Sequence, residues 1–210
     1  RCEGVKRIEG VPERLLAAAR EEFLEKGYEA ASLRAIAERA GSSKGAIYVR
    51  YADKEALYAA VVDPVIEELC LFFTEEFDGF GKLPADVQQS TMNDYADQGI
   101  GLMMDYIYDH FDVFRLLLDG AHGTRFSCFL DELVDIEVEY TYKYMEVIGC
   151  ESVKSGLVTE EFIHIIVTAY FNGMFEVVRH NMDRAAAHRY VKMLNRYHMA
   201  GFSTVFDPQP

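Results

Sequence analysis

The hydrophobic residues of this chain recur at helical spacing along almost its whole length. Apolar side chains stand three or four positions apart, which places them on one face of an α-helix. The segments with this spacing are 12–26, 53–77, 100–111, 126–145, 159–180 and 183–206. Strand-type alternation is nowhere sustained, and no segment repeats another. The pattern predicts an all-α protein of about nine helices.

Residues that start and stop helices divide this pattern. Pro12 suits the first turn of a helix, and Gly27 suits the position just after a helix end. Ser32 can cap a short second helix, and a tight break at Gly41 separates it from a third. Pro64 lies inside the longer helix that follows and is expected to kink it. We therefore expect a three-helix N-terminal head followed by a larger helical body.

Length and composition fit a division into a head, residues 1–55, and a body, residues 56–210. A chain of 210 residues, 50% hydrophobic and 27% charged, is typical of a globular protein. No apolar run approaches the ~18 residues of a membrane-spanning helix, and the polar start, residues 1–10, lacks the apolar stretch of a signal peptide. Four widely separated cysteines without a Cys-x-x-Cys pair fit a reducing cytoplasm.

Charge is distributed unevenly over the chain, whose formal net charge is −14. Residues 1–62 carry 11 Lys and Arg against 10 Asp and Glu, whereas residues 63–210 carry 10 against 25. Within residues 32–54, five basic residues stand against two acidic ones. A short positive segment on an acidic body leaves one place where phosphates could bind.

Residues 32–57 predict a helix-turn-helix. In this motif the second helix enters the major groove of DNA, so its N-terminal face must be small or polar and its opposite side apolar, here at Ile47. The residues expected to face bases are Ser42, Ser43, Lys44, Gly45 and Ala46, and those able to hold phosphates are Ser32, Tyr48, Tyr51 and Lys54. The same shape also fits an ordinary turn in an all-α protein, so spacing alone leaves DNA binding open.

The same stretch resembles the N-terminal signature of tetracycline-repressor-type (TetR) regulators. The match is dense over residues 12–62. It is carried by Glu22-Phe23, Gly27-Tyr28, Ser32-Leu33, Ile36-Ala37, Ala40-Gly41, Ser43-Lys44-Gly45, Ile47-Tyr48, Tyr51, Lys54-Glu55 and Leu57. The body resembles this family only in its length and helical pattern.

The resemblance implies a homodimeric transcriptional regulator, usually a repressor. Its two recognition helices would bind a palindromic operator, and a small effector in the body would release the DNA. The positions named above would then contact phosphates and bases, with Lys44 reading a guanine edge and Arg34 as a further contact. The resemblance implies no catalytic residue, cofactor or metal.

The last two predicted helices are the expected dimer interface. Their apolar stripes are Ile166, Tyr170, Gly173, Met174 and Val177 in the first and Tyr190, Met193, Leu194 and Tyr197 in the second. Two such helices per chain would form a four-helix bundle across a two-fold axis. Spacing alone also allows the stripes to close the core of one chain, and the resemblance favours the dimer.

Aromatic and methionine side chains in the body are expected to surround an effector. The candidates are Tyr95, Met103, Met104, Tyr106, Ile107, His110, Phe111, Phe126, Phe129 and Phe175. Such side chains suit a small, mostly apolar or aromatic ligand, with Tyr and His as polar contacts. For each of them, packing in the core is the competing interpretation.

Two other classes of function fit the sequence less well. Glu161 and His164 have the Glu-x-x-His spacing of di-iron helical bundles, but a second such pair is missing. No nucleophile elbow, phosphate-binding loop or dinucleotide fingerprint occurs either. A ligand-binding or protein-interaction module without DNA binding would not need the basic residues of this short segment, which are Arg34, Lys44, Arg50 and Lys54. We therefore expect a cytoplasmic, non-enzymatic regulator without metal, cofactor or membrane partner.

Overall fold

The structure, a computed structural model, describes residues 10–206; the polar start considered above lies almost wholly outside this range. Its ten α-helices are α1 (Val11–Ala30), α2 (Leu33–Arg39), α3 (Lys44–Tyr48), α4 (Lys54–Gly81), α5 (Ala85–Asp109), α6 (Phe111–Asp119), α7 (Phe129–Val147), α8 (Glu151–Lys154), α9 (Glu160–Arg179) and α10 (Arg184–Phe206). A 3₁₀-helix, Arg125–Cys128, precedes α7. Residues 10–206 contain no strand, and the predicted all-α fold is confirmed.

The helix boundaries differ from the sequence signals in several places, and α5 begins at Ala85, well before the apolar spacing that starts at residue 100. α1 continues past Gly27 to Ala30, because Gly27 adopts a positive φ of 70° and kinks the helix instead of ending it. α4 contains Pro64 within its length, as the sequence predicts, and the expected kink at this residue stays a prediction. α8 is a single turn that the apolar spacing does not predict, and this additional helix accounts for the difference from about nine.

The first of two compact units combines the residues up to Val65 with the later segment Asp112–Ser127. Its core contains an aromatic cluster in which the Tyr58 ring lies 4.9 Å from that of Phe23 and 5.7 Å from that of Phe126. The Tyr58 hydroxyl donates a 2.9 Å hydrogen bond to the carbonyl of Leu116. This unit therefore contains more of the chain than the predicted head, whose functional boundary at residue 55 stays a prediction.

The second unit consists of Ile66–Phe111 and the residues from Cys128 onward. In it, α7 packs along α9 and α5 packs along α10. Arg184 at the start of α10 forms ion pairs with Asp105 at 2.6 Å and with Asp109 at 2.7 Å, both on α5. Its core residues include Met103, Met104, Leu133, Val138, Phe171 and Phe175.

Among the described helices, α9 is long and apolar enough to span a membrane by length and composition alone. Seven of its residues, including Val167, Phe171 and Val178, are buried within the fold. Its sequence therefore has the character of a core helix. The expectation that no apolar run approaches a membrane span is qualified by this helix.

Candidate nucleic-acid interface and internal cavity

Two short helices, α2 and α3, form the turn-linked pair that the sequence predicts. The Ser32 hydroxyl caps α2 by accepting from the Ala35 N–H at 3.5 Å, and the Ser43 hydroxyl caps α3 by accepting from the Ala46 N–H at 3.2 Å. Between the helices Gly41 has a φ of 60°, a conformation that side chains with a Cβ rarely adopt. The turn is therefore built from local interactions that the sequence itself supplies.

The pair has one buried side and one open side. Ile36 of α2 and Ile47 of α3 are fully buried in the first unit. At the start of α3, Ser43, Lys44 and Gly45 are exposed, while Ser42 and Ala46 are half-buried. Tyr48 is 49% exposed and Tyr51 is half-buried. The residues predicted to face bases thus share the solvent side of the motif, as a groove-reading helix requires.

Ion pairs remove part of the positive charge that the sequence places here. Arg34 pairs with Glu38 at 2.8 Å. Arg39, which is the centre of an acidic cluster on α1, lies within 3.0 to 3.6 Å of the carboxylates of Glu21, Glu22 and Glu25. The charges of these two arginines are therefore largely compensated within the protein.

Lys44 and Arg50 keep their charge available on the open side. The Lys44 ammonium lies 5.6 Å from the centre of the Tyr48 ring and forms no ion pair within the described part of the chain. The Arg50 guanidinium donates at 3.2 Å to the carbonyl of Ala46 at the end of α3. Beside them Val49 is an apolar residue that is 82% exposed. The sequence analysis did not select it, although its position directly after α3 could have indicated it.

Lys54 has a structural role that its position in the motif did not reveal. Its ammonium donates to three carbonyls at the end of α1, those of Tyr28 at 2.7 Å, Glu29 at 3.0 Å and Ala31 at 3.3 Å. It also lies 4.5 Å from the centre of the Tyr28 ring. All three ammonium hydrogens are thus engaged within the first unit, and a phosphate would have to compete with these carbonyls.

Replacing Lys54 with methionine is therefore expected to destabilise the protein. Losing the charged donor leaves the three carbonyls without their partner, at a cost of about 1 to 3 kcal/mol. Urea denaturation gives the free energy of unfolding. Lys44→Met, which removes an exposed lysine without carbonyl partners, should change it by less than about 0.5 kcal/mol. Equal stabilities of the two variants would show that Lys54 is free to bind phosphate.

The second unit contains a partly open cavity of about 750 Å³. Most of its lining is aromatic and aliphatic, and it includes Phe72, Phe73, Phe77, Phe80, Tyr95, Met103, Tyr140, Tyr144, Tyr170 and Phe171. This volume and lining are typical of sites for small organic molecules. Tyr95 and Met103 are the two predicted effector contacts that line it.

The other predicted effector contacts lie elsewhere. Met104, Ile107, Phe129 and Phe175 are buried in the core of the second unit, and Phe126 is buried in the first. The hydroxyl of Tyr106 donates to Glu68 at 2.9 Å, the ring of His110 lies 4.5 Å from that of Tyr106, and Phe111 packs on Tyr108. None of these eight lines the cavity.

Polar groups from three helices reach this cavity. The Tyr170 hydroxyl of α9 donates to Asn195 at 3.0 Å, and the Asn195 amide donates to Asp97 at 2.7 Å. His198 of α10 stacks on the Tyr170 ring at 4.2 Å, and burial lowers its pKa to about 4. Burial raises the pKa of Glu137 on α7 to about 7. His198 is therefore neutral near pH 7, while Glu137 is poised to gain or lose a proton.

The predicted dimer residues divide into exposed and buried sets. On α10, Tyr190 is 37%, Met193 63% and Tyr197 80% exposed. The residues that are half-buried or buried are Ile166, Tyr170, Gly173, Leu194, Met174 and Val177. A Cβ added at Gly173 would lie 3.3 Å from Leu194, because α9 and α10 pack closely there. On α9, Phe162 and Ile165 are exposed apolar positions that the sequence reasoning did not select.

The N-terminal helices are similar in sequence to known regulatory proteins. Residues 15–61 match the family described as bacterial regulatory proteins, tetR family. The chain is also similar to the HTH-type transcriptional activator FasR of Mycolicibacterium smegmatis, with 44% identity over 55 residues. Those residues make up 26% of this chain and 25% of that protein, so the chain matches only about a quarter of the relative's length.

Solved structures extend the likeness to most of the chain. A bacterial regulatory protein in the tetR family from Rhodococcus RHA1 has a TM-score of 0.62 and 22% identity, with 90% of this chain and 96% of that one aligned. SmeT, the repressor of the Stenotrophomonas maltophilia multidrug efflux pump SmeDEF, has a TM-score of 0.61 and 16% identity, with 92% and 90% aligned. At these identities the likeness shows a shared fold.

Proposed function

Because this chain carries the DNA-binding domain of the tetR family of bacterial regulators, we propose that it is a transcriptional repressor that binds a palindromic operator as a homodimer. A small effector in the cavity of the second unit releases it. The observation that carries the proposal is the capped α2–α3 pair with Lys44 and Gly45 exposed at the start of α3. The protein acts in the cytoplasm, where its operator lies, and needs neither metal nor cofactor.

DNA recognition follows from the open side of the motif. The exposed N-terminus of α3 enters the major groove, so that Ser42, Ser43, Lys44, Gly45 and Ala46 reach base edges. The residues proposed to contact phosphates are Ser32, Arg34, Tyr48, Tyr51 and Arg50, with Lys54 holding the end of α1 beside them. Two such helices related by a two-fold axis would enter successive major grooves ~34–36 Å apart.

Selection of bound sequences from a random duplex pool tests this proposal directly. The expected product is a palindrome whose half-site centres are one helical turn apart. Affinity for it should fall as salt rises, with a slope near −0.9 per phosphate neutralised. Recovery of no consensus at low salt would leave a helical ligand-binding module without DNA binding as the better description.

Lys44→Ala should weaken operator binding and relax the preference for one base pair in each half-site. The expected loss is about 1 to 3 kcal/mol per half-site, the value of a specific contact to a guanine edge. Fluorescence anisotropy on operators varied at one position at a time measures both effects. Lys26→Ala, an exposed lysine of α1 outside the motif, is the control and should bind like the parent. A uniform loss on every sequence would make Lys44 a phosphate contact.

Exposed apolar residues on α9 and α10 support the homodimer. Phe162 and Ile165 stand three apart on α9, and Tyr190, Met193 and Tyr197 follow helical spacing on α10. Exposed apolar residues that recur along helices in this way are typical of an interface. With two helices from each protomer, a four-helix interface with two-fold symmetry results.

The double substitution Met193→Glu with Tyr197→Glu should convert the dimer into a monomer. It places four carboxylates at the two-fold axis, where apolar contacts are lost and like charges repel. Sedimentation velocity measures the mass, and operator affinity should fall with it. Leu71→Glu, at an exposed leucine of α4, is the matched control and should remain dimeric. A dimeric double variant would locate the interface elsewhere.

Helix α4 is the proposed route from effector to DNA. It begins at Lys54 beside the motif, and its later residues Phe72, Phe73 and Phe77 line the cavity. An effector that displaces the later part moves the recognition helix, with Pro64 as the bending point because it removes one backbone hydrogen bond. A preference of ~1–3 kcal/mol for the displaced state changes operator affinity ~5–150-fold. Repression is tested by measuring transcription from a promoter that carries the selected operator, with and without the protein.

A further inference from the structure

Glu137 is a carboxylate in the wall of a cavity that is lined mostly by aromatic and aliphatic side chains. It lies on α7 one turn after Leu133, on the side of the helix that continues with Tyr140 and Tyr144, and it lines the cavity with both tyrosines. Within residues 10–206 its oxygens have neither a hydrogen-bond donor nor an ion-pair partner. Desolvation is the cause of its raised pKa. Glu137 is half-buried in the cavity wall, and a partly desolvated carboxylate without a partner is costly, so the cavity is suited to a ligand that compensates it.

The groups around Glu137 do not supply that compensation. Tyr95 of α5 and Tyr170 of α9 have raised pKa values, caused first by burial and then in part by the negative charge of Glu137. Glu76 of α4 adds negative charge near Tyr95, and His198 of α10 has a lowered pKa and is neutral. The cavity therefore presents net negative character to whatever occupies it.

The two lysines that line the cavity do not neutralise Glu137. Lys143 pairs with Glu139 at 2.6 Å and lies 4.5 Å from the centre of the Tyr140 ring. Lys82 forms no ion pair with Glu137 among the described residues. A cationic ligand would meet no competing positive charge beside this carboxylate.

Aromatic side chains also line this cavity, and aromatic rings attract cations. The rings of Phe80 and Tyr95 stack at 4.3 Å, and those of Phe77 and Tyr140 stack at 5.0 Å. A cation within ~6 Å of such a ring is attracted by its quadrupole, most strongly where water is excluded. Carboxylate and rings together form a site for a positive charge attached to an apolar group.

We propose that the cavity binds a hydrophobic organic cation, with its positively charged nitrogen at Glu137 and its apolar part against Phe77, Phe80, Tyr95 and Tyr140. A cavity of about 750 Å³ admits a drug-sized molecule. Binding of this cation does not require DNA. Only its role as the effector that releases the operator rests on the proposed function.

A pair of probes that differ by one charge tests the proposal. (1-Naphthylmethyl)trimethylammonium and its carbon isostere 1-(2,2-dimethylpropyl)naphthalene have the same shape, and the chain contains no Trp to obscure their fluorescence. At pH 8 and without DNA, the full chain should bind the cation at least tenfold more tightly than the isostere. Equal affinities, or no binding of the cation, overturn the proposal.

Glu137→Gln identifies the group responsible. This variant keeps the size of the side chain and removes its charge, so the preference for the cation should vanish while the isostere binds as before. Glu146→Gln, which alters an exposed carboxylate lining the same cavity, should retain the preference. Circular dichroism confirms that both variants are folded. A preference unchanged in Glu137→Gln contradicts the role assigned to this residue.

The dependence on pH gives an independent readout. The cation should bind less tightly below about pH 7, where Glu137 takes up a proton, and the isostere should not. Among the facing groups, His198 has a pKa near 4 and the tyrosines have raised values, so none of these titrates between pH 6 and 8. Equal pH profiles for the two probes would overturn the proposal.

A second arm separates this inference from the proposed function. The same probes are added to the complex of the protein with its selected operator. If the cation binds the free protein but leaves operator affinity unchanged, the cavity site stands and the effector role of this ligand fails. If no operator can be selected, the probe comparison still decides the cavity site.

Discussion

Replacing Gly45 with leucine is expected to weaken operator binding by at least about 30-fold while making the free protein slightly more stable. A Cβ at this position meets only the Ser43 hydroxyl, at 3.7 Å, so the free protein has room for a side chain. Removing a glycine from a helix contributes about 0.5 to 1 kcal/mol. On DNA the added side chain would hold α3 away from the bases. Losing one specific contact in each of two heads lowers affinity between about 30-fold and 20,000-fold.

Because stability is expected to rise while operator affinity falls, a general loss of folding cannot produce the predicted result. Urea denaturation gives the stability, and anisotropy on the selected operator gives the affinity. Gly79→Leu is the matched control, because Gly79 is also an exposed helical glycine with nothing near its Cβ position. It should gain stability and keep its affinity. A Gly45→Leu protein that binds operator like the parent would show that α3 does not lie close to the bases.

The helix-turn-helix could be predicted because it is specified locally. Ser43 caps α3 through a contact three residues away, and Asp53 caps α4 by accepting from the Ala56 N–H at 2.8 Å. Gly41 supplies the positive φ of the turn. Each of these features depends on residue type and short spacing, both of which are visible in the sequence.

The cavity could not be predicted in the same way. Met103 lines it and the adjacent Met104 does not, although both are buried. On α9, Tyr170 reaches the cavity and Phe175 packs in the core. Apolar periodicity shows that a face is buried, and only the packing of other helices decides whether that face meets a neighbour or a void. Glu137, an acidic residue on the apolar side of α7, is the signal that could have located it.

Counting charged residues overestimates the positive charge that is available to DNA at two positions of the motif. Counting residues gives a positive segment, but Arg39 is enclosed by three carboxylates of α1 and the Lys54 ammonium is held by three carbonyls. These contacts join residues 14 to 26 positions apart in the chain, beyond the reach of spacing rules. The charge available to DNA is therefore smaller and lies mainly at Lys44 and Arg50.

Glu137 should also make the stability of the ligand-free protein depend on pH. In the fold its pKa is about 7, against an ordinary value of 4.5. Below pH 4.5 the carboxyl is protonated in both states and costs nothing. As pH rises from 4.5 towards 7, the unfolded chain ionises while the folded protein does not, so stability is lost; above pH 7 both states are ionised and the loss is complete. The complete loss corresponds to about 3 kcal/mol at most.

Glu137→Gln should therefore be more stable than the parent at pH 8 by about 2 to 3 kcal/mol, and nearly equal to it at pH 4.5. Urea denaturation at fixed protein concentration across this range measures the difference, and Glu146→Gln, whose carboxylate is exposed, should show none. A difference that does not change with pH would mean that Glu137 keeps an ordinary pKa in the fold. The cavity would then lack the uncompensated charge that selects a cation, because a carboxylate with an ordinary pKa is already solvated or paired.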